Sequence, residues 1–273
     1  MSGRFRGWTW LFAIGLPFGL AWPAGDAAAT DGGLTPFGVA SPSPSPFESE
    51  IQAFEHADKQ GPQPRHPIVF IGSSSIRMWT TLRQDFPRQR VLNRGFGGSH
   101  ISDSVDFVER IVVPYAPSLV IMYAGGNDID AGKTPAVVAA DFQAFTARVW
   151  SRLPHTEIAF ISIAPNPARW GEVDRVREAN RLIAAACDSD RRLHFIDVFP
   201  RMLGDDGQPR AELFVGDHLH MNHKGYEVWI PLVRQTIDAV IGSGTGAGTA
   251  KAAGVRPAAA SEKKPPTAPD AIR

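Results

Sequence analysis

Residues 70–79, FIGSSSIRMW, join a strand-like apolar run to a helix-like segment through one glycine and three serines. An apolar run that turns directly into a helix is typical of a strand buried in a parallel sheet. Ser74 falls at this turn, where its hydroxyl can point into a cleft and its backbone N–H lies exposed at a helix start. In isolation, a plain polar turn with a helix cap explains the segment better. A phosphate-binding loop is a third interpretation, but the Gly-Lys-Ser/Thr ending of a P-loop is missing.

Four more apolar runs follow along the chain, and helix-like periods separate them. Such continuous runs suit strands that are covered on both faces. The alternation predicts an α/β fold, a three-layer α/β/α sandwich with a five-stranded, mainly parallel sheet of the flavodoxin-like type. In such sheets the reactive groups gather beyond the carboxyl ends of the strands. The predicted strands are 68–71, 90–92, 119–123, 158–163 and 193–198.

Local signals predict where helices begin and bend. Ser45 and Glu48 have the spacing of a capping box for an opening helix. Thr134 is a predicted N-cap, with Pro135 at the first position of a longer helix. Pro231 lies inside the last helical pattern and predicts a kink there.

The composition narrows the class of protein. The chain has 273 residues, with 28 basic and 28 acidic side chains and a formal net charge of zero. This balance gives no electrostatic attraction to nucleic acid or to an acidic membrane surface, so no nucleic-acid partner is expected. The hydrophobic fraction of 43% is ample for a buried core. No motif calls for a cofactor.

Both ends of the chain differ in composition from its middle. Arg4 and Arg6 precede an apolar run and three small residues, which predicts a signal peptide over residues 1–29. An uncleaved membrane anchor is the rival, but the run is shorter than the ~20 apolar residues of a spanning helix and contains Pro17. The expected location is therefore periplasmic or extracellular, without stable membrane insertion after cleavage. Composition further predicts a flexible linker over 30–45, a folded domain over 46–242 and a disordered tail over 243–273.

Three later segments carry polar groups that suit a reaction centre. The second predicted strand runs into NRGFGGS, residues 93–99, whose glycines let the backbone turn sharply and present N–H groups. The third ends in GGND, residues 125–128, where an asparagine can donate to an oxyanion or cap a turn. Asp217 precedes His220 by three residues, so its carboxylate can orient the imidazole. A serine hydroxyl is a weak nucleophile until an imidazole takes its proton, which makes Ser74 and His220 a candidate pair.

Histidine and cysteine allow two other interpretations. His218 and His223 lie in the same segment as His220, and this cluster raises a metal site as an alternative. No carboxylate-rich or cysteine-rich segment stands out as its partner, so no metal is expected. Cys187 is the only cysteine, which excludes an intramolecular disulfide, and its alanine neighbours indicate a buried small hydrophobe rather than a thiol nucleophile.

Four blocks, in order along the chain, resemble those of the SGNH, or GDSL-type, hydrolase family. They are GSS at 72–74, NRGFGG at 93–98, GGND at 125–128 and DHLH at 217–220. The resemblance is greatest to the branch related to platelet-activating-factor acetylhydrolases and bacterial acylesterases, and it covers about residues 47–241. It implies a carboxylic ester hydrolase, a serine esterase or lipase, whose substrate is a small ester or an acylated carbohydrate or lipid.

Carried over residue by residue, the resemblance implies a complete catalytic set. Ser74 would be the nucleophile, His220 its base and Asp217 the acid that orients the base. The oxyanion hole would consist of the backbone N–H groups of Ser74 and Gly98 and the side chain of Asn127.

The sequence departs from the family at Ser73, where the family has an aspartate, and it leaves Ser75 as the alternative nucleophile. Hydrolysis through an acyl-enzyme is the expected reaction, with activity that rises with pH because the base must be neutral. Its rivals are acyl transfer, carbohydrate deacetylation, metal-dependent hydrolysis and non-catalytic anion binding. The resemblance alone suggests a small pocket for acetyl esters, since the substrate-binding residues are not readable. Side chains that could line the entrance, but could equally be surface or packing residues, are Arg77, Trp79, Arg94, Phe96, Asn166 and Arg169.

Overall fold

Five short apolar runs form one sheet in the described part of the chain. Numbered in chain order, the strands are β1 Ile68–Gly72, β2 Val91–Gly95, β3 Leu119–Tyr123, β4 Glu157–Ile161 and β5 Leu193–Ile196. Their order across the sheet is β2-β1-β3-β4-β5, and every neighbouring pair is parallel. Strands β1 to β4 are buried at almost every position, since helices cover both faces of the sheet.

Helices connect the strands and build the two outer layers. One face of the sheet packs against a core that includes Ile51, Phe107 and Phe142, from the first, fourth and sixth α-helices of the chain. The other face packs against Ile76 and Trp229, from the second and eighth α-helices. The predicted three-layer α/β/α sandwich is therefore confirmed. The helices are α1 Glu48–Lys59, α2 Ser74–Arg77, α3 Leu82–Asp85, α4 Ile101–Ile111, α5 Gly126–Asp130, α6 Pro135–Arg152, α7 Val173–Asp188 and α8 His223–Ser243, with 3₁₀ turns at Val113–Tyr115, Pro167–Glu172, Phe199–Met202 and Ala211–Leu213.

The structure is a computed structural model that describes residues 45–61 and 63–243. The predicted signal peptide, the linker before residue 45 and the tail after residue 243 lie outside these residues. Within them, no helix has the length and apolar content needed to cross a membrane.

One local helix prediction agrees with the structure and one is wrong, while Pro231 lies inside α8 and its kink stays a prediction. The Thr134 side chain accepts the Val137 N–H and caps α6, as predicted. The capping box at the start of α1 does not form, because the Ser45 hydroxyl accepts the N–H of Phe47 instead of that of Glu48. The Glu48 carboxylate is also engaged elsewhere, since it accepts two hydrogen bonds from Arg110.

Candidate active site

Two loops that are far apart in sequence meet at Ser74. The Ser74 Oγ lies 2.9 Å from Nε2 of His220, although 146 positions separate the two residues. On the other side of the ring, His220 Nδ1 lies 2.6 Å from Oδ2 of Asp217. A hydroxyl, an imidazole and a carboxylate in hydrogen-bonded series are the arrangement that activates a serine as a nucleophile.

The turn that carries Asp217 also holds its carboxylate in place. Oδ1 accepts the backbone N–H groups of Leu219 and His220, each at 2.9 Å, and Oδ2 faces the imidazole. The side-chain bond from His220, followed by these two backbone bonds, holds the pKa of Asp217 well below its usual range. An ionised carboxylate only accepts hydrogen bonds, so Nδ1 carries the ring proton and Nε2 offers its lone pair to Ser74. That is the tautomer a general base requires.

A tight backbone turn explains why residues three apart point toward each other. The N–H of Val215 donates to the carbonyl of His220 at 2.8 Å, and the N–H of His218 donates back to Val215 at 2.9 Å. His218 has a left-handed φ of 58°, which closes the turn between Asp217 and His220. An antiparallel bridge between Phe214 and Met221 holds its base.

The three consecutive serines have different surroundings. Ser74 is the first residue of α2 and is the serine within reach of the imidazole. Ser73 is buried, at 6% exposure, and its N–H donates to the carbonyl of Tyr123. The Ser75 carbonyl accepts the hydroxyl of Tyr226 at 2.8 Å, and the contact with the imidazole is made by Ser74. The geometry therefore favours Ser74 over Ser75 as the nucleophile.

The predicted oxyanion donors lie on loops that hydrogen bonds draw together beyond the strand ends. The Phe96 N–H donates to the carbonyl of Gly72 at 2.9 Å, which brings the end of β2 beside the end of β1. The Asn127 Nδ2 donates to the carbonyl of Ser99 at 3.1 Å, which ties the segment after β3 to the glycine loop. Within residues 45–61 and 63–243, the N–H groups of Ser74 and Gly98 have no protein acceptor. Both are thus available to a bound oxyanion.

Glycine is required at Gly72, the last residue of β1. Its φ of 133° is one that other residues rarely adopt. A Cβ there would lie 1.9 Å from the carbonyl oxygen of Tyr123. Glycine thus lets the end of β1 lie close to β3, and the turn that carries Ser74 begins at this residue.

Glu50 is a residue of this site that the four sequence blocks missed. Both carboxylate oxygens lie 3.2 Å from the N–H of Gly97, next to the predicted donor Gly98. Arg77 approaches the same carboxylate at 3.6 Å. Glu50 lies on α1, far from the motifs in sequence, so only a three-dimensional contact reveals it.

Asp128, the last residue of the GGND block, has a buried structural contact. Its side chain is fully buried and its two oxygens lie 3.3 Å from the N–H of Ile101, the first residue of α4. Lys133 Nζ lies 2.8 Å from the same carboxylate. Asp128 therefore fixes the helix that follows the glycine loop, while Asn127 holds the loop itself.

The structure decides between the entrance and packing alternatives for three of the six side chains. Trp79 and Phe96 are 1% and 0% exposed and belong to the core. Arg94, 7% exposed, is directed toward α1, where Nη2 lies 2.6 Å from Asp58 and the guanidinium lies over the ring of Phe54. The remaining three, Arg77, Asn166 and Arg169, are partly or largely exposed.

The histidines suggested as metal ligands are separated by their own contacts. Both ring nitrogens of His220 are engaged, by Ser74 and by Asp217. His223 lies 3.4 Å from Glu227, one turn along α8. In the described part of the chain, His, Cys, Asp and Glu side chains form no group of three or more suited to a metal ion. Cys187 is 5% exposed in α7, as expected for a buried small hydrophobe.

A hydrogen-bonded Ser-His-Asp series on an α/β sheet is an arrangement that recurs in hydrolases. The GDSL-like Lipase/Acylhydrolase family matches residues 72–228, more than half of the chain. The chain belongs to this family and is a carboxylic ester hydrolase.

One curated protein and two solved structures illustrate what this chain is similar to. Human platelet-activating factor acetylhydrolase IB subunit alpha1 is 27% identical over 180 residues, 62% of this chain and 74% of that protein. A GDSL-like lipase from Bacteroides thetaiotaomicron has the same fold, with a TM-score of 0.60 and 18% identity over 70% of this chain and 98% of that one. A lipase/acylhydrolase from Enterococcus faecalis gives a TM-score of 0.53 and 18% identity over 63% of this chain and 95% of that one.

Proposed function

We propose that this chain is an exported serine esterase that cleaves short-chain carboxylic esters, acetyl esters first among them, through an acyl-enzyme. The observation that carries the proposal is the contact of 2.9 Å between Ser74 Oγ and His220 Nε2. In the neutral ring, the ionised Asp217 accepts the hydrogen bond of Nδ1 and so leaves the Nε2 lone pair for Ser74. A serine in this setting attacks acyl carbonyls.

The first half of the reaction forms the acyl-enzyme. Nε2 of His220 accepts the Ser74 proton while Oγ bonds to the carbonyl carbon of the ester. The N–H groups of Ser74 and Gly98 and the Nδ2 of Asn127 bind the oxyanion that develops. As the carbonyl re-forms, the bond from carbon to the leaving alkoxide breaks, and His220 donates its proton to that oxygen.

The second half releases the acid. Nε2 takes a proton from water, whose oxygen attacks the acyl carbon through the same oxyanion. The bond from carbon to Ser74 Oγ then breaks, and the proton on His220 returns to Oγ. Removing one oxyanion donor should cost about 100-fold or more in kcat.

The acyl preference rests on the relatives rather than on a pocket. The human and other mammalian relatives are named as acetylhydrolases, and an acetyl group is the smallest common acyl unit. The export part of the proposal rests on the basic start and apolar run of residues 1–29. Periplasmic or extracellular esters, including acylated carbohydrates and lipids, would then be the substrates.

A panel of nitrophenyl esters of increasing chain length tests the proposal. Wild type should cleave the acetyl ester fastest, and Ser74→Ala should lower kcat by about 1,000-fold or more. Ser75→Ala is the matched control on the same turn and should keep most of the activity. Full activity in the Ser74 variant would refute the nucleophile.

Three further measurements separate the rivals. A fluorophosphonate probe should label Ser74, whereas a non-catalytic anion-binding module would not react. Loss of activity with a chelator would indicate metal-dependent hydrolysis instead. Transfer of the acyl group to an added sugar, at the expense of free acid, would indicate an O-acyltransferase. Cell fractionation tests export, and retention of the full-length chain in the cytoplasm would contradict it.

A further inference from the structure

Arg169 makes a contact that links it to the oxyanion hole. It lies in the 3₁₀ turn Pro167–Glu172, after β4, and its Nη1 lies 3.0 Å from Oδ1 of Asn127. Its Nη2 lies 2.8 Å from Asp130, one turn further along α5. Its side chain is 20% exposed. Arg169 does not touch Ser74 or His220 in the structure.

We propose that Arg169 is a positioning residue, which holds the Asn127 amide in the one orientation that donates to the oxyanion. This inference rests on the proposed function. An asparagine amide presents either its oxygen or its NH₂ group in a given direction, and the two differ only by rotation of the side chain. Only the NH₂ group can stabilise an oxyanion, so the orientation decides whether Asn127 contributes.

The two partners of Asn127 together exclude the flipped orientation. A guanidinium only donates, so the group that faces Arg169 must be Oδ1. A backbone carbonyl only accepts, so the group that faces Ser99 must be Nδ2. A flip would place two donors against each other at one end and two acceptors at the other. Because Ser99 takes one of the two Nδ2 hydrogens, the second remains for the oxyanion.

Arg169 is itself held on both sides. Its backbone N–H donates to the side chain of Asn166 at 2.9 Å, which caps the 3₁₀ turn. The next residue toward the amino end, Ala168, donates its N–H to the carbonyl of His218 at 3.1 Å. The same short segment therefore contacts both the oxyanion asparagine and the turn that carries the base. This explains how a residue outside the four sequence blocks can affect the donor geometry.

Arg169→Ala should lower kcat about 10-fold and change KM less than about 2-fold. The loss is smaller than that of deleting the donor, because the freed amide still samples the productive orientation. Arg169→Lys keeps the charge and the aliphatic stem, but one ammonium must serve both Asn127 and Asp130, so its kcat should lie between wild type and alanine. Arg177→Ala is the control, because Arg177 contacts the same 3₁₀ turn, where its guanidinium lies over the ring of Trp170, and pairs with Asp174. The kcat of this variant should match that of wild type.

The decisive experiment is a double-mutant cycle with Asn127→Ala on nitrophenyl acetate. If Arg169 acts through the amide, adding Arg169→Ala to Asn127→Ala should change kcat less than about 2-fold. If the two losses multiply, Arg169 acts on the substrate or the oxyanion directly, or on folding, and the inference is wrong. Unchanged kcat in the single Arg169 variant would also overturn it.

Two readouts keep the result interpretable. Thermal unfolding of each variant shows whether it is folded, and the cycle is repeated with Arg169→Lys if the alanine variant is not. Activity that survives Ser74→Ala would refute the proposed function itself. Multiplying losses with Ser74-dependent activity intact would refute only the role of Arg169.

Discussion

Asp217→Asn should leave the turn intact but place the ring proton on the wrong nitrogen. The asparagine Oδ1 can still accept the two backbone N–H groups at 2.9 Å. Its NH₂ group would then face His220 Nδ1 across the present 2.6 Å contact. Nδ1 must accept that hydrogen bond, so Nε2 carries the proton and points it at Ser74. An imidazole in this state cannot take the serine proton.

The size of the effect follows from the same geometry. The equivalent change in a serine protease, where the aspartate is buried, costs about 10,000-fold in kcat. The Asp217 side chain here is 47% exposed, so water can compete for the amide and let the ring return to the productive tautomer part of the time. We therefore expect a loss of about 1,000-fold. KM should stay within about 2-fold, because Asp217 contacts the base and not the substrate.

Steady-state kinetics on nitrophenyl acetate and thermal unfolding measure this prediction together. Asp205→Asn, at an exposed aspartate outside the Asp217–His220 turn, serves as the control and should behave as wild type. A folded Asp217→Asn enzyme with kcat within about 5-fold of wild type would refute the reasoning.

The remaining predictions concern pH, a glycine, a thiol and the glycine loop. Activity should rise from acid toward neutral pH because only a neutral imidazole accepts the serine proton. The pKa of Asp217 is lowered, so its carboxylate stays charged over this pH range. A flat pH profile would contradict the assignment of His220 as the base. Gly72→Ala should lower the free energy of unfolding by about 3 kcal/mol or more. Gly207→Ala is the control and should lower it by about 1 kcal/mol, because a Cβ at Gly207 has open space. Equal unfolding midpoints for the two variants would contradict this prediction. Burial raises the pKa of the Cys187 thiol to about 12, so iodoacetamide at pH 8 should neither label the folded enzyme nor inhibit it. Glu50→Ala should lower kcat about 3- to 10-fold by releasing the Gly97 N–H, while Glu55→Ala on the same helix should not.

Much of the fold was predictable because its signals are local. Continuous apolar runs over four or five residues mark buried parallel strands, and all five predicted strands are present. Their ends were less certain: β2 extends to Gly95, and β4 ends at Ile161 rather than at residue 163. A strand ends where its last ladder hydrogen bond is made, which depends on the neighbouring strand.

Single residues were harder to place than elements. From the sequence, Trp79 and Phe96 could line the entrance or pack inside, and the structure places both in the core. Proximity to a motif in sequence does not determine whether a side chain points into the core or toward the site. Glu50 and Arg169 show the converse, since their contacts with Gly97 and Asn127 span 47 and 42 positions.

By itself, the amino-acid sequence determined the alternation of strands and helices and the family that its ordered blocks resemble. Both are properties of short segments, in which periodicity and residue type act over a few neighbours. Only the tertiary structure decided which serine meets the imidazole and which way the Asn127 amide faces. Those outcomes depend on loops that the sheet brings together from distant parts of the chain. A shift of one residue in how a loop packs would put the neighbouring side chain in the same place, and the local sequence does not fix that register.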